Sequence, residues 1–208
     1  TALDEEILTY TKKAQAIYAK RAHDLASQRK FEDAGWYFLE AGDKKQADEY
    51  FQKAAISYED GSCDPKLEPK YRMVRAGHMY KELGQAERAN GIYMRGIEIL
   101  IRNKEWFIAA IVYMEMGKYE EAISYIKREI RPDGTYMHND LLGECYLKAG
   151  YTKEAQQALM MAAKYYERSF GNTMRPWAIN YYRKAGMHEK ADQLQQAMFD
   201  EASTYVTE

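Results

Sequence analysis

The chain has 208 residues, 46% of them hydrophobic, with 13 Gly and 4 Pro, a composition that supports a continuous helical core and argues against disorder and against a many-turned β protein. Lys and Arg number 30 against 32 Asp and Glu, a net charge of −2, so no basic surface makes nucleic acid or an acidic membrane the default partner. No apolar run reaches the ~18 residues needed to span a bilayer, and Cys63 and Cys145 lack the spacing of a disulfide framework or a zinc site, which points to reduced thiols in a cytoplasmic protein. No signal peptide is visible, and because the chain opens on Thr1 its absence carries no weight.

In chain order, the first predicted element is a long amphipathic helix over about 4–28, with Ile7, Ala14, Ile17, Tyr18, Ala22 and Leu25 on one stripe. It is expected to cover the open end of a repeat core, as terminal elements of solenoids must. After it, one pattern recurs five times: an aromatic, Gly four positions later, Ala five after that. The copies are Phe38, Gly42, Ala47; Tyr80, Gly84, Ala89; Tyr113, Gly117, Ala122; Tyr146, Gly150, Ala155; and Tyr182, Gly186, Ala191. Seven positions before each Gly stand Gly35, Gly77, Ala110, Gly143 and Ile179, small in four cases.

A fixed period of this kind is the signature of stacked units. Each copy reads as two antiparallel helices, A before the glycine and B after it, in units over about 30–59, 69–102, 104–130, 134–170 and 174–205 of a single domain, 1–208. In the second unit, A is expected over 69–83 and B over 86–101. Gly84 closes A because glycine takes the left-handed cap conformation at little cost. Ala47, Tyr50, Phe51, Ala54, Ala55 and Tyr58 keep the helical period in the first B helix, as Ala89, Tyr93, Gly96, Ile97, Leu100 and Ile101 do in the second. Residues 60–69 form a long connection, and Arg131-Pro132-Asp133-Gly134 reads as a sharp turn. "KFEDA" at 30–34 looks like "KYEEA" at 118–122, so the N-terminal helix could instead pair with 31–41.

These residues resemble the tetratricopeptide repeat, and more closely its longer-helix relatives in the SNAP-like group. The quoted pattern appears as Ala34, Gly35, Phe38, Gly42, Ala47, Phe51, Ala54 in the first unit and as Ala76, Gly77, Tyr80, Gly84, Ala89, Tyr93, Gly96 in the second. It returns as Leu142, Gly143, Tyr146, Gly150, Ala155, Leu159, Ala162 in the fourth. The third keeps Trp106, Ala109, Ala110, Tyr113, Gly117 and Ala122, and the fifth Ala178, Tyr182, Gly186 and Ala191. The family's late Pro is missing throughout. The resemblance implies an all-α fold, a right-handed α-α superhelix of about five antiparallel helix pairs plus the N-terminal helix.

It also implies a non-catalytic scaffold or adaptor that binds a partner peptide or helix in a concave groove lined by the A helices. Mapped onto this chain, that face carries Trp36, Arg75, His78, Ile108, Ile111, Met114, Leu141, Glu144, Trp177, Asn180 and Arg183. Ile108, Ile111 and Met114 either form an exposed apolar strip or pack against neighbouring helices. The family's clamp for a C-terminal carboxylate is largely absent, because the matching positions hold Glu32, Trp36, Lys104 and Asp140.

The tyrosines fall on apolar stripes and read as packing, with hydroxyls at the edge. His23, His78, His138 and His188 are scattered and read as surface or capping residues. Glu120-Glu121 and Asp4-Glu5-Glu6 sit at helix starts, where the helix dipole favours them. No phosphate loop, metal cluster or catalytic constellation is present, so neither cofactor nor metal is expected and no enzyme is indicated. A SNAP-like trafficking adaptor, an RNA binder built on Arg75 and Arg183, and a homodimer formed through end faces are the alternatives. The SNAP-like reading lacks that group's long C-terminus and terminal leucines, since the chain ends Tyr205-Val206-Thr207-Glu208.

Overall fold

The computed structural model describes residues 2–63, 66–129, 138–169 and 171–204. The turn expected at 131–134, the chain end at 205–208 and positions 64 and 65 of the long connection lie outside the described residues. Among those described there are eleven α-helices and no strand, the all-α solenoid class expected from the repeats.

The chain forms two compact units, 1–103 and 104–208. The first holds α1 (Ala2–Ser27), α2 (Phe31–Glu40), α3 (Lys44–Asp60), α4 (Pro69–Glu82) and α5 (Ala86–Arg102), each packed on the next. The second holds α6 (Trp106–Glu115), α7 (Tyr119–Ile126), α8 (Asn139–Ala149), α9 (Thr152–Ser169), α10 (Arg175–Lys184) and α11 (His188–Thr204), again each on its successor. The second repeat unit, expected at 69–83 and 86–101, ends within one residue of those limits.

The recurring pattern is a turn recipe. Gly42, Gly84, Gly117, Gly150 and Gly186 take φ between 71 and 86°, the left-handed region where a side chain is strained. The amide after each glycine bonds back at 2.8–2.9 Å to the carbonyl of the aromatic four residues before it, as Asp43 does to Phe38 and Gln85 to Tyr80. This is the helix-ending bond of a Schellman turn, and it sets the aromatic-to-glycine spacing. The alanine five residues on makes the first amide bond of the next helix, Ala47 to Asp43 and Ala89 to Gln85. Arg29 repeats the turn at the end of α1 with φ 61°, and Lys30 bonds back to Leu25. Hence α2 is paired on both sides, with α1 and with α3.

In three hairpins the glycine on A answers a large residue sixteen positions later on B. A Cβ built on Gly35 would lie 2.5 Å from the Phe51 ring, on Gly77 2.5 Å from the Tyr93 ring, and on Gly143 2.5 Å from Leu159. The third hairpin carries Ala110 and Ile126 at these positions, a larger and a smaller partner, both buried. Backbone proximity and ring volume are matched pair by pair.

A second device was not foreseen. Tyr58 donates its hydroxyl to Glu32 at 2.5 Å, tying the end of α3 to the start of α2. The next residue, Glu59, accepts from the Tyr80 hydroxyl of α4 at 2.5 Å and from Arg88 of α5 at 2.9 Å, with the guanidinium lying 4.0 Å from the Tyr80 ring centroid. In the second unit Tyr166 donates to Asp140 of α8, while Glu167 accepts from Tyr182 of α10 at 2.6 Å and pairs with Lys190 of α11 at 3.1 Å. Measured from Gly42 and Gly150, the two Tyr-Glu dipeptides stand at the same offset. Each dipeptide thus clips its own hairpin with the tyrosine and the next hairpin with the glutamate.

Burial, then the Glu59 carboxylate, pushes the Tyr80 hydroxyl up to about 12, and Tyr182 rises for the same causes with Glu167. Burial alone would raise the Glu167 carboxyl, but hydrogen bonds from Tyr182 and Lys190 outweigh it and hold it below its ordinary range.

α1 departs from expectation. Ala22 and Leu25 are buried and Tyr18 lies against Tyr37, but Ile7 and Ile17 are exposed. For Ile7 the reason is length: at about 1.5 Å per residue, α1 with 26 residues far outruns α2 with 10, while Ile17, next to Tyr18, is level with α2 but on another side of the helix. His23 and His188 are exposed and His138 stands at the N-cap position of α8, though without a side-chain cap bond, as the surface or capping role expected. His78 departs from it, half-buried edge-on to Tyr93.

Gly77→Ala should destabilise by about 1–3 kcal/mol in urea unfolding, overpacking defeating alanine's better helix propensity. Gly91→Ala, in α5 with nothing within 4 Å of its Cβ, should stabilise by about 0.5–1 kcal/mol. Equal effects at the two sites would refute the proximity argument.

Removing one clip with Tyr182→Phe should cost about 1–3 kcal/mol near neutral pH, since the carboxylate loses a buried donor. A tyrosine whose pKa rises on folding adds stability below its unfolded value, and that stability is lost as pH climbs toward the folded one. For Tyr80 the loss should run from about pH 10 to about pH 12, read as a falling urea midpoint, and should be shallower in Tyr80→Phe.

Candidate protein-docking surface

The eleven residues mapped to the groove all sit on A helices, and none belongs to the buried core. In the first unit α2 carries Trp36, and α4 carries Arg75 and His78. Trp36 is exposed on one side and packs edge-on to Phe51 at 4.8 Å on the other. His78 is half-buried, edge-on to Tyr93. Arg75 is exposed yet committed, with its guanidinium 2.9 Å from Glu32.

Between α2, α3 and α4 lies a cleft of ≈ 240 Å³ whose walls include Arg29, Glu32, Tyr58, Cys63, Leu67 and Arg75. Sequence reading did not find it, because its walls come from three helices and a connection far apart in the chain. Two of its charges, Glu32 and Arg75, are paired with each other beside the Tyr58 hydroxyl.

In the second unit α6 supplies Ile108, Ile111 and Met114, α8 Leu141 and Glu144, and α10 Trp177, Asn180 and Arg183. The buried side of α6 is Ala109, Ala110, Val112 and Tyr113. Ile108 and Met114 are therefore half-buried and Ile111 is 36% exposed, outside the core. Helix α10 buries Ala178, Ile179, Tyr181 and Tyr182 and leaves Trp177 53% exposed. The polar members are partly used up. Glu144 is bonded to Lys184 of α10, and Arg183 reaches Asp192 at 3.1 Å and Gln195 at 2.5 Å on α11.

The acidic residues that displace the carboxylate clamp have internal duties. Glu32 takes the Tyr58 and Arg75 donors, and Asp140 takes Tyr166 at 3.3 Å and Tyr181 at 3.5 Å. The Tyr-Glu dipeptides 58–59 and 166–167, missed in the sequence, were recoverable from their common distance to Gly42 and Gly150.

Burial pushes the Cys145 thiol up to about 11, with Glu144 adding to the shift, so it stays protonated and unreactive near neutral pH. Among the described residues no group of three His, Cys, Asp or Glu is placed to hold a metal ion, and no helix is long and apolar enough to cross a membrane.

Residues 106–130 match the tetratricopeptide-repeat family model. No curated protein sequence matches the chain. Among solved structures, it is similar to the nearly identical TPR-like repeats ascribed to a kinesin light chain of Podosopora anserina. One variant of these is 14% identical, with 86% of this chain and 96% of that chain covered at a TM-score of 0.55. A second structure of those repeats is 16% identical, with 85% and 95% covered at 0.52. BtubC (BKLC) from P. vanneervenii is 16% identical, with 99% of this chain and 92% of that chain covered at 0.49. At such identities the likeness concerns fold, and together with the matched repeat it supports a TPR-like helical-repeat architecture for this chain.

Proposed function

We propose that this chain is a non-catalytic protein-interaction scaffold, an adaptor that receives a partner peptide or helix along the exposed faces of its A helices. TPR-like folds generally serve protein–protein interaction. The observation that carries the proposal here is the set of large apolar side chains that the A helices leave outside the core, above all Ile111 on α6 and Trp177 on α10. A partner that covers them gains roughly 25 cal/mol per Å² of apolar area removed from water. In the helix-in-groove mode an amphipathic partner helix lays its apolar face on such a surface.

A SNAP-like adaptor role in membrane trafficking is a narrower form of this proposal. It is supported by B helices of 17 or 18 residues in α3, α5, α9 and α11. A cytoplasmic setting belongs to the same reading and rests on two cysteines that stand as free thiols. The RNA-binding alternative leans on Arg75 and Arg183, and each is already engaged by a carboxylate, Glu32 and Asp192. Phosphate would have to displace those carboxylates, which weakens that reading.

The test is affinity capture with the wild-type chain, followed by titration of the captured partner in purified form. Ile111→Asp, at an exposed position, should weaken the partner's affinity by about tenfold or more while thermal unfolding stays near wild type. Trp177→Ala should act in the same direction. An unchanged captured set and unchanged affinity in both variants would remove the A-helix surface from consideration.

A further inference from the structure

The N-terminal half of α1 has no packing partner in its own unit. Residues 3–13 are exposed on every side, yet they include Leu3, Ile7, Leu8 and Tyr10, with Ile7 55% and Tyr10 62% exposed. A free helical segment of this length is marginal in water without an apolar surface to dock on. The exposed residues are also ordered. Leu3, Ile7, Tyr10, Ala14 and Ile17 follow alternating spacings of four and three, the seam of a two-stranded coiled coil, with Ile17 67% exposed. The exposed part of this seam, 3–13, precedes the Ala22–Leu25 stretch that packs in the first unit, so both can be used at once.

We infer that this seam pairs antiparallel with the same seam of a second copy of the chain. Charge selects the occupant and the direction. One flank of the seam carries Glu6 and, one heptad on, Lys13. In the antiparallel register that sets Ile7 against the partner's Tyr10 and Leu3 against the partner's Ala14, Glu6 meets the partner's Lys13 and Lys13 meets the partner's Glu6. One two-fold axis creates both pairs, as an isologous interface requires. A parallel pair would oppose Glu6 to the partner's Thr11 and Lys13 to the partner's Tyr18, with no charge match. Lys13 now lies 5.7 Å from the Tyr10 ring, beside the seam. In this register the contact runs over 3–14, about three turns of helix, at the small end for a specific interface, so it should be of micromolar strength.

Sedimentation equilibrium of the full chain between ~1 and ~200 μM tests this. The wild type should move from monomer to dimer across that range. Ile7→Asp should stay monomeric, Glu6→Lys should weaken dimerisation by about tenfold, and Glu6→Lys combined with Lys13→Glu should restore it to within about threefold. Thermal unfolding at ~1 μM, the monomer end of that range, shows that the variants still fold. A wild type that is monomeric throughout overturns the inference. So does a dimer indifferent to Ile7→Asp or Glu6→Lys, or a double exchange that does no better than Glu6→Lys alone.

Discussion

The structure depends on how closely two helices of a hairpin approach one another. At Gly35, Gly77 and Gly143 the A-helix backbone comes so near the facing side chain that one added carbon would collide with it. That proximity lets Phe51, Tyr93 and Leu159 bury fully against the backbone of their own hairpin. A large residue opposite a missing Cβ locks the rotation of B about its axis, and this decides which residues of B face the next hairpin. The third hairpin carries Ala110 and Ile126 at these positions, both buried, so a small residue facing a large one does not require glycine.

Once B is oriented, its end is fastened electrostatically. Tyr58-Glu59 and Tyr166-Glu167 point adjacent side chains in different directions, one back to A and one forward to the next hairpin. Each carboxylate is half-enclosed and receives a hydroxyl and a cation, the arrangement in which a buried charge is tolerated. Ion pairs within the chain use up charge that would otherwise decorate the A-helix face. Arg75, Glu144 and Arg183 are all satisfied within the chain, which leaves Ile111, Trp36 and Trp177 as the surface features still seeking contact. The exposed face is therefore more apolar in effect than its sequence suggests.

Much of the fold was legible because the turn chemistry is local. An aromatic, Gly and Ala at fixed spacing encode one helix end and the next helix start through bonds spanning a few residues, and α4 and α5 appear where that code puts them. The candidate surface was legible only by position. Periodicity assigns Ile108, Ile111 and Met114 to one side of α6, but whether that side is covered depends on helices that sequence spacing does not locate. The stripe on α1 misled for a related reason: it is continuous in sequence, while the helix it should cover ends after 10 residues.

By itself the sequence determined the glycine turns of the repeats and the helices on either side of them, because each rests on bonds spanning a few residues. Tertiary structure alone decided which carboxylates are spent on tyrosines, which groove residues stay open to solvent, and that half of α1 stands bare. Those outcomes depend on distances between residues tens of positions apart, such as Glu32 and Arg75 or Glu144 and Lys184, which are set only when successive hairpins stack.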